Sequence, residues 1–593
     1  MKPTMPPKKP ISHPVLWLLS VLVGVIAGLG AVVFRDLIAL LHNLLFLGKF
    51  SVDYAANFHT PPSPWGAGII LAPVVGAIGV AFLVKNFAPE AKGHGVPEVM
   101  EAIYYEKGVI RPIVAVIKSL ASALSIGSGG SVGREGPIVQ IGSAFGSTMG
   151  QVLRLPAWQR ITMIAAGAGG GIAATFNTPI GGVLFAAELL LHEVSVWTLV
   201  PLVISTATAT YIGRLFLGDN PSFVIPALQI NSFHATSPWV LLVCVGLGCL
   251  MGLVSTLFIR SIYTFEDFFT QKIPGNYYSR HLLGMFLVGL MIYLTWRFCG
   301  HYYIEGVGYA TVQDVLAGSL SSILLLLLLF LLKITVTSLT LGSGGSGGIF
   351  SPSLFLGATL GQAYGILALR WLPFLPITPA AFAVMGMAGI LAGATGAALT
   401  AIVMIFEMTL DYNVILPMTI TVAISYGVRK FLANDSIYTL KLTRRGHHMP
   451  ESMQASFPLV RLARDIMQPF TPVSASTPIN ELPKLLAGHG PVDYFLVERQ
   501  GKIIGIIKND AALQLSSRNG ATSNLGEIAD KNFQVIAESA TLFSIISKMR
   551  SGHVGLFVVA SASPPLSITG VKGIISKEQI ADAMTETISL SNE

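Results

Sequence analysis

The chain has 593 residues, of which 52% are hydrophobic and only 11% charged, less than half the charge of an ordinary soluble domain. A mean hydropathy of +0.67 excludes a wholly soluble protein and requires a polytopic membrane protein with a smaller soluble part. The formal charge of +7 suits loops beside anionic lipid, so no nucleic-acid partner is needed to explain it.

Residues 1–14, MKPTMPPKKPISHP, carry three lysines and no acid ahead of the apolar run 15–34. That run is too long for a signal-peptide core and no small-residue cleavage site follows, so the N-terminus is expected in the cytoplasm. Lys441, Arg444 and Arg445 follow the last apolar run, near 414–432, and place the C-terminal side there too, which makes the number of crossings even. Between these ends, segments such as 113–126, 138–152 and 179–191 are too short or too broken by glycine to cross as regular helices. In lipid, irregular backbone survives only where protein buries it or a water-filled path borders it, and broken helices commonly mark an ion site. The three cysteines, Cys244, Cys249 and Cys299, lie in apolar segments without disulfide or zinc spacing, and no metal site is expected.

One glycine-rich run occurs twice. Residues 127–147, GSGGSVGREGPIVQIGSAFGS, and 342–362, GSGGSGGIFSPSLFLGATLGQ, share nine identities in 21 at an offset of 215. At that offset Glu135 falls on Phe350, so the carboxylate is an addition to a duplicated frame. GGVLFAAE (181–188) and TAIVMIFE (400–407) extend the duplication at an offset of 219, ending in Glu188 and Glu407. From about 455 the pattern becomes soluble: strand, turn, strand over 492–510, then helix and strand over 542–560, with 570–584 repeating 501–515. Two β-α-β-β-α units are the simplest account.

A helix N-terminus presents unpaired N–H groups and about half a positive charge, which holds an anion without a formal cation. GHGVP (93–97), GREGP (133–137) and GIFSP (348–352) each place glycine and proline at the mouth of an expected helix. Their convergence in low dielectric would hold an anion yet release it. Glu135 beside such a site can occupy it when ionised and leave when protonated, and so both gate anions and carry a proton; the plainer alternative is a local pair with Arg134. GSGGSG (342–347) matches GxGxxG, and 127–135 has the outer glycines of a phosphate loop with arginine in place of lysine. Neither opens a soluble βαβ unit, so nucleotide binding there is not expected.

With these residues in view, the chain resembles the CLC family of chloride channels and transporters over about 15–440. GREGPIVQIG, GGIFSP, FNTPIGGVLF (176–185), FEMT (406–409) and ILPM (415–418) stand in the family's order and spacing, as does Lys118, 17 residues before Glu135. The resemblance implies an all-α polytopic membrane domain of inverted repeats of broken helices, with halves at roughly 15–215 and 235–440. It implies a homodimer with one chloride pathway per subunit, in a bacterial inner (cytoplasmic) membrane, and a transporter rather than an enzyme. Glu135 becomes the gate. The amides of Ile349 and Phe350 and the Tyr438 hydroxyl become central anion ligands, with the glycine loops adding His94, Gly95, Arg134, Gly136 and Gly348. After a linker at 441–460, residues 461–586 resemble an α/β CBS-domain pair, with copies at about 461–516 and 525–586.

The sequence departs from the family pattern at two sites. His94 replaces a serine ligand and either donates to the anion or turns outward. Leu189 stands where the family's exchangers carry a proton-relaying glutamate, which leaves a gated channel and an exchanger with another relay as alternatives. Glu188 and His192, i and i+4, offer a possible proton path, and capping or solvated groups at a helix end are the simpler reading. Glu407 is expected to be structural. At the CBS pair an adenine nucleotide is weakly supported, because Ser576 is followed by Gln579 rather than aspartate, and the first copy has Lys508 and Ala511. From a different class, a CBS-containing cation transporter would need several intramembrane carboxylates along a path, and few lie near the glycine loops.

Overall fold

The computed structural model describes residues 10–191, 194–219, 223, 237–374, 378–447, 461–481, 494–509, 524–552, 554–560 and 568–590, in two compact units, Met1–Met449 and Pro450–Glu593. The first unit is built of α-helices. Its first half holds α1 (His13–His42), α2 (Ala72–Asn86), α3 (Val96–Tyr105), α4 (Ile113–Gly127), α5 (Glu135–Val152), α6 (Ala157–Phe176), α7 (Pro179–Leu189) and α8 (Val196–Leu217). Its second half holds α9 (Pro238–Gln271), α10 (Tyr277–Cys299), α11 (Tyr309–Leu316), α12 (Ile323–Gly342), α13 (Phe350–Trp371), α14 (Pro379–Thr395), α15 (Ala398–Thr409), α16 (Ile415–Leu432) and α17 (Thr439–Arg444).

Helix lengths separate two jobs. Among the described residues eight helical segments are long and apolar enough to cross a bilayer. The 30 residues of α1 make a rod of about 45 Å at 1.5 Å per residue, longer than the ~30 Å hydrocarbon core, so it spans with residues to spare for tilt or for extension past the core. Leu18, Val33 and Leu324 stay exposed on such helices, as a lipid-facing surface requires. By contrast α7 and α15 have 11 and 12 residues, roughly 16–18 Å, and cannot span. Their ends must be satisfied by protein.

The duplication is visible in the packing. A Cβ on Gly142 of α5 would lie 2.1 Å from the Gly167 carbonyl of α6, and one on Gly357 of α13 would lie 2.4 Å from the Gly386 carbonyl of α14. Backbone touches backbone at both crossings, which glycine alone permits. The short pair α7 and α15 lie antiparallel and cap one another. Glu407, near the end of α15, accepts the N–H groups of Ile180 (3.1 Å) and Gly181 (2.7 Å) at the start of α7. Glu188, near the end of α7, accepts those of Leu399 (3.2 Å) and Thr400 (2.8 Å) at the start of α15, with the Thr400 hydroxyl at 2.7 Å. Each carboxylate thus meets the positive end of its repeat counterpart.

The second unit contains two three-stranded sheets. β1 (Thr471–Ser474) is parallel to β2 (Tyr494–Arg499), which is antiparallel to β3 (Lys502–Lys508). β4 (Phe533–Ala537), β5 (Leu556–Ala560) and β6 (Val571–Ser576) repeat that order. Tyr494, Leu496 and Ile506 of one sheet share a buried cluster with Val558 and Ile574 of the other. Helices α18 (Ala463–Ile466), α19 (Leu525–Ile528), α20 (Leu542–Gly552) and α21 (Lys577–Leu590) complete the described part. The second copy follows the expected β-α-β-β-α order; residues 482–493 and 510–523, where the helices of the first are expected, lie outside the described residues.

The reciprocal caps give a stability prediction. Glu188→Ala and Glu407→Ala should each destabilise the membrane unit by about 2 kcal/mol, the scale of a lost charged cap, read as a lower melting temperature in detergent. Wild-type melting in both variants would show that the caps contribute nothing.

Candidate anion site

Three loops from the two halves meet through their backbones. The Gly133 N–H donates to the Gly348 carbonyl at 2.7 Å and the Gly348 N–H returns to the Gly133 carbonyl at 2.6 Å, an antiparallel bridge between the two copies of the glycine run. The Gly93 N–H donates to Gly345 at 3.0 Å, and the Gly347 N–H to Gly93 at 3.2 Å. These loops open α5, α13 and α3, so three helix N-termini are drawn to one place, and their unpaired N–H groups make it favourable to negative charge.

Glu135, the first residue of α5, is 2% exposed. Its carboxylate folds over two glycines: a Cβ on Gly133 would lie 1.9 Å from Oε2, and one on Gly348 3.1 Å. It reaches the start of α13, where Oε2 accepts the Ser351 N–H at 3.4 Å and Oε1 accepts the Ser351 hydroxyl and, at 2.8 Å, the Tyr309 hydroxyl. Among the described residues no ion pair joins it to Arg134. That guanidinium donates to the Thr175 carbonyl at 3.3 Å, stands 5.8 Å from the Phe176 ring and 5.3 Å from the Tyr309 ring, and leaves Nε without a partner. Arg134, Arg35 and Arg214, with Asn177 and Tyr309, line an open cavity of about 230 Å³, a cationic mouth beside the carboxylate.

His94 is buried, its Nδ1 has no partner among the described residues, and its ring stands edge-on to Tyr263 at 6.3 Å. Its carbonyl presses on Gly136, where a Cβ would come within 1.9 Å; Gly95 continues the loop into α3. Ile349 and Phe350 are buried at the start of α13, with Phe350 5.2 Å from Phe176. Tyr438, just before α17, is 3% exposed. Lys441 (2.7 Å) and Arg445 (3.0 Å) pair with Glu98 and tie that segment to α3. Leu189 is buried, Glu188 serves as the cap described above, and His192 lies outside the described residues.

Lys333, Tyr309 and Ser351 escaped the sequence reading, and Lys118 was read without its role. Fully buried Lys118 donates to the carbonyls of Ala91 (3.0 Å) and Gly93 (2.7 Å), holding the loop before α3. Lys333, 215 positions on, does the same before α11, to Ile304 (3.1 Å) and Gly306 (3.0 Å). Applied to His94 and Gly136, the offset of 215 lands on Tyr309 and Ser351, the two hydroxyls on Glu135. The duplication was the signal that could have found them.

In the second unit, Lys508 pairs with Glu578 at 2.8 Å and the Ser576 hydroxyl donates to the same carboxylate at 2.6 Å. The hydrogen bonds from Lys508 and Ser576 hold the Glu578 carboxyl down, at about 2. The Ser576 N–H donates to Gln579 Oε1 at 2.5 Å, so the positions read for a nucleotide engage one another.

A helical membrane protein with three helix starts and one carboxylate at a backbone crossing belongs among ion-transport proteins. The sequence profile of the voltage gated chloride channel family matches residues 75–430. The chain is 31% identical over 439 residues to the H(+)/Cl(-) exchange transporter ClcA of Yersinia pestis bv. Antiqua (strain Angola), covering 72% of this chain and 87% of that one. It is 32% identical over 436 residues to ClcA of Vibrio cholerae serotype O1 (strain M66-2), covering 72% and 88%. The chain therefore belongs to the CLC voltage-gated chloride channel family, a family of multi-pass membrane transporters and not of enzymes. Among solved structures, a slow cyanobacterial Cl-/H+ antiporter aligns with TM-score 0.62 at 24% identity, over 73% of this chain and 99% of that one. A eukaryotic CLC transporter aligns with TM-score 0.60 at 21% identity, over 95% and 97%; these two likenesses concern the fold.

Lys118→Met leaves the carbonyls of Ala91 and Gly93 buried without a donor and should destabilise the protein by about 2–4 kcal/mol. Thermal unfolding in detergent checks this; an unshifted transition would mean the loop before α3 is held by other contacts.

Proposed function

We propose that the chain moves chloride, and anions of similar size, across the membrane through the meeting point of the three loops, with Glu135 as the gate. One observation carries this reading: the Glu135 carboxylate lies on the Ser351 N–H at the start of α13, the amide next in sequence to those of Ile349 and Phe350 that an anion would use. When ionised it competes with the anion, and when protonated it gives up the site. His94, Gly95, Gly136, Gly348, Ile349, Phe350 and Tyr438 surround the ion, and Arg134 attracts it at the mouth. Full charges stay off the central site because Lys118 is turned to backbone carbonyls, so an anion binds to partial charges and can leave.

In this reading the antiparallel counterparts α7 and α15 belong to repeats inverted in the membrane, two subunits form a homodimer with one pathway each, and both termini face the cytoplasm of a bacterium. The second unit, with its two like sheets, is a CBS pair. The test is chloride efflux from proteoliposomes between about pH 4.5 and 7.5, the interval over which a carboxylate gate would be expected to act. Glu135→Gln, which cannot ionise, should raise efflux at the upper end and flatten the profile. A wild-type profile in the variant removes Glu135 from the gate.

Proton coupling is weak or absent on this reading, because buried Leu189 cannot bind a proton and Glu188 is committed to its cap. The second reading, stoichiometric exchange, is favoured by the relatives named H(+)/Cl(-) exchange transporters. An outward chloride gradient separates them: it should drive chloride efflux without sustained uphill proton movement. Proton uptake in fixed ratio to chloride would establish the exchanger.

A further inference from the structure

Two hydroxyls meet the gate carboxylate from the opposite repeat. Tyr309 Oη lies 2.8 Å from Glu135 Oε1 and 2.7 Å from Ser351 Oγ, and Ser351 Oγ also contacts Oε1. With two hydroxyl protons among three oxygens, the ionised carboxylate receives one from Tyr309, and Ser351 supplies the second to either neighbour. All three residues are buried, so these donors face little competition from water.

The duplication explains how the hydroxyls come to be there. At the 215 offset Tyr309 is the counterpart of His94, and Ser351 that of Gly136. In the first half the His94 carbonyl lies on the bare Gly136; in the second half the Tyr309 hydroxyl lies on the Ser351 hydroxyl, and both reach Glu135. Lys333 fixes the loop ahead of Tyr309 as Lys118 fixes the one ahead of His94.

We infer that Tyr309 and Ser351 are positioning residues: a hydroxyl clamp that holds the ionised Glu135 in the anion pathway and so sets the pH at which the pathway opens. The inference rests on Glu135 being the gate. Hydrogen bonds donated to a carboxylate favour its charged form. Losing those donated bonds favours the neutral, released form, so removing the clamp moves opening to higher pH. The other charged or titratable groups around the carboxylate are Arg134 at the start of its own helix, Tyr438 ahead of α17 and, beyond Arg134, Arg35 of α1. Lys118 of α4 is turned to Ala91 and Gly93, and the His94 ring to Tyr263. None of these groups is removed by altering the clamp.

Tyr309→Phe is a clean probe, because the ring that packs on Phe223 (5.4 Å) and beneath Arg134 (5.3 Å) remains. In chloride efflux from proteoliposomes, the pH of half-maximal flux should rise by about one unit, the scale of one hydrogen bond to a charged group. Ser351→Ala should move it the same way and serves as the second variant should Tyr309→Phe fold poorly. In a Glu135→Gln background neither substitution should alter the profile. A wild-type midpoint in both clamp variants overturns the clamp while the gate stands. A shift that persists in the Glu135→Gln background also overturns it, since the hydroxyls would then act on something else. A wild-type profile in Glu135→Gln alone removes the gate and the clamp with it.

Discussion

The backbone bridge between Gly133 and Gly348 is the constraint on which the membrane unit depends. In a bilayer an irregular loop cannot turn its N–H and C=O groups to solvent, and a helix that stops at mid-depth leaves several of them unpaired. Here the two copies of one glycine run satisfy each other with two short antiparallel hydrogen bonds, and a third loop joins through Gly93. Glycine is required because the carboxylate and the opposing backbone occupy the space of a Cβ at Gly133, Gly136 and Gly348. Once those loops are joined, the starts of α3, α5 and α13 have no freedom to diverge. An electropositive point at membrane depth follows from the folding solution itself.

The duplication recurs outward from the bridge, at an offset of 215 and then of 219. Glycine crossings at 142 and 357, buried lysines at 118 and 333, and capping glutamates at 188 and 407 keep the framework of both halves alike. The halves differ where the anion would pass. Glu135 faces Phe350 as its counterpart, His94 faces Tyr309, and Gly136 faces Ser351. Like backbone geometry with divergent side chains puts a carboxylate and two hydroxyls against one another where the counterpart positions hold Phe350, His94 and a bare glycine, so a duplicated scaffold carries different chemistry in its two halves.

Much of this was legible in the sequence because the duplicated run is long and its glycines are spaced by function. The broken segments near 113–126, 138–152 and 179–191 appear as α4, α5 and α7, and Glu135 stands at a helix start as its loop implies. The structural reading of Glu407 holds in its cap on α7. What the pattern could not give was the set of partners that close only in three dimensions. Tyr309 is 174 residues from Glu135, in a stretch whose local sequence resembles no anion loop, and only the offset connects it to His94. Lys333 sits in an otherwise apolar helix, where a cation is legible as an anomaly but its acceptors, two carbonyls of another loop, are not.

The buried lysines show how the fold separates its charges from its ion. A cation at mid-membrane is costly unless paired, and a cation facing the path would bind an anion too firmly for transit. Lys118 and Lys333 are each given two carbonyl oxygens, so their charge stiffens the loops ahead of α3 and α11. Arg134, whose Nε has no partner among the described residues, instead lines a cavity of about 230 Å³ with Arg35 and Arg214; on the proposed reading their summed field would draw anions in without a tight site. On that reading, formal charge would be strongest where ions enter and reduced to amide dipoles where they are desolvated. Among the described residues the formal charge at that point is Glu135, which has the sign of an anion, and so as the proposed gate it would displace the ion where a lysine would hold it.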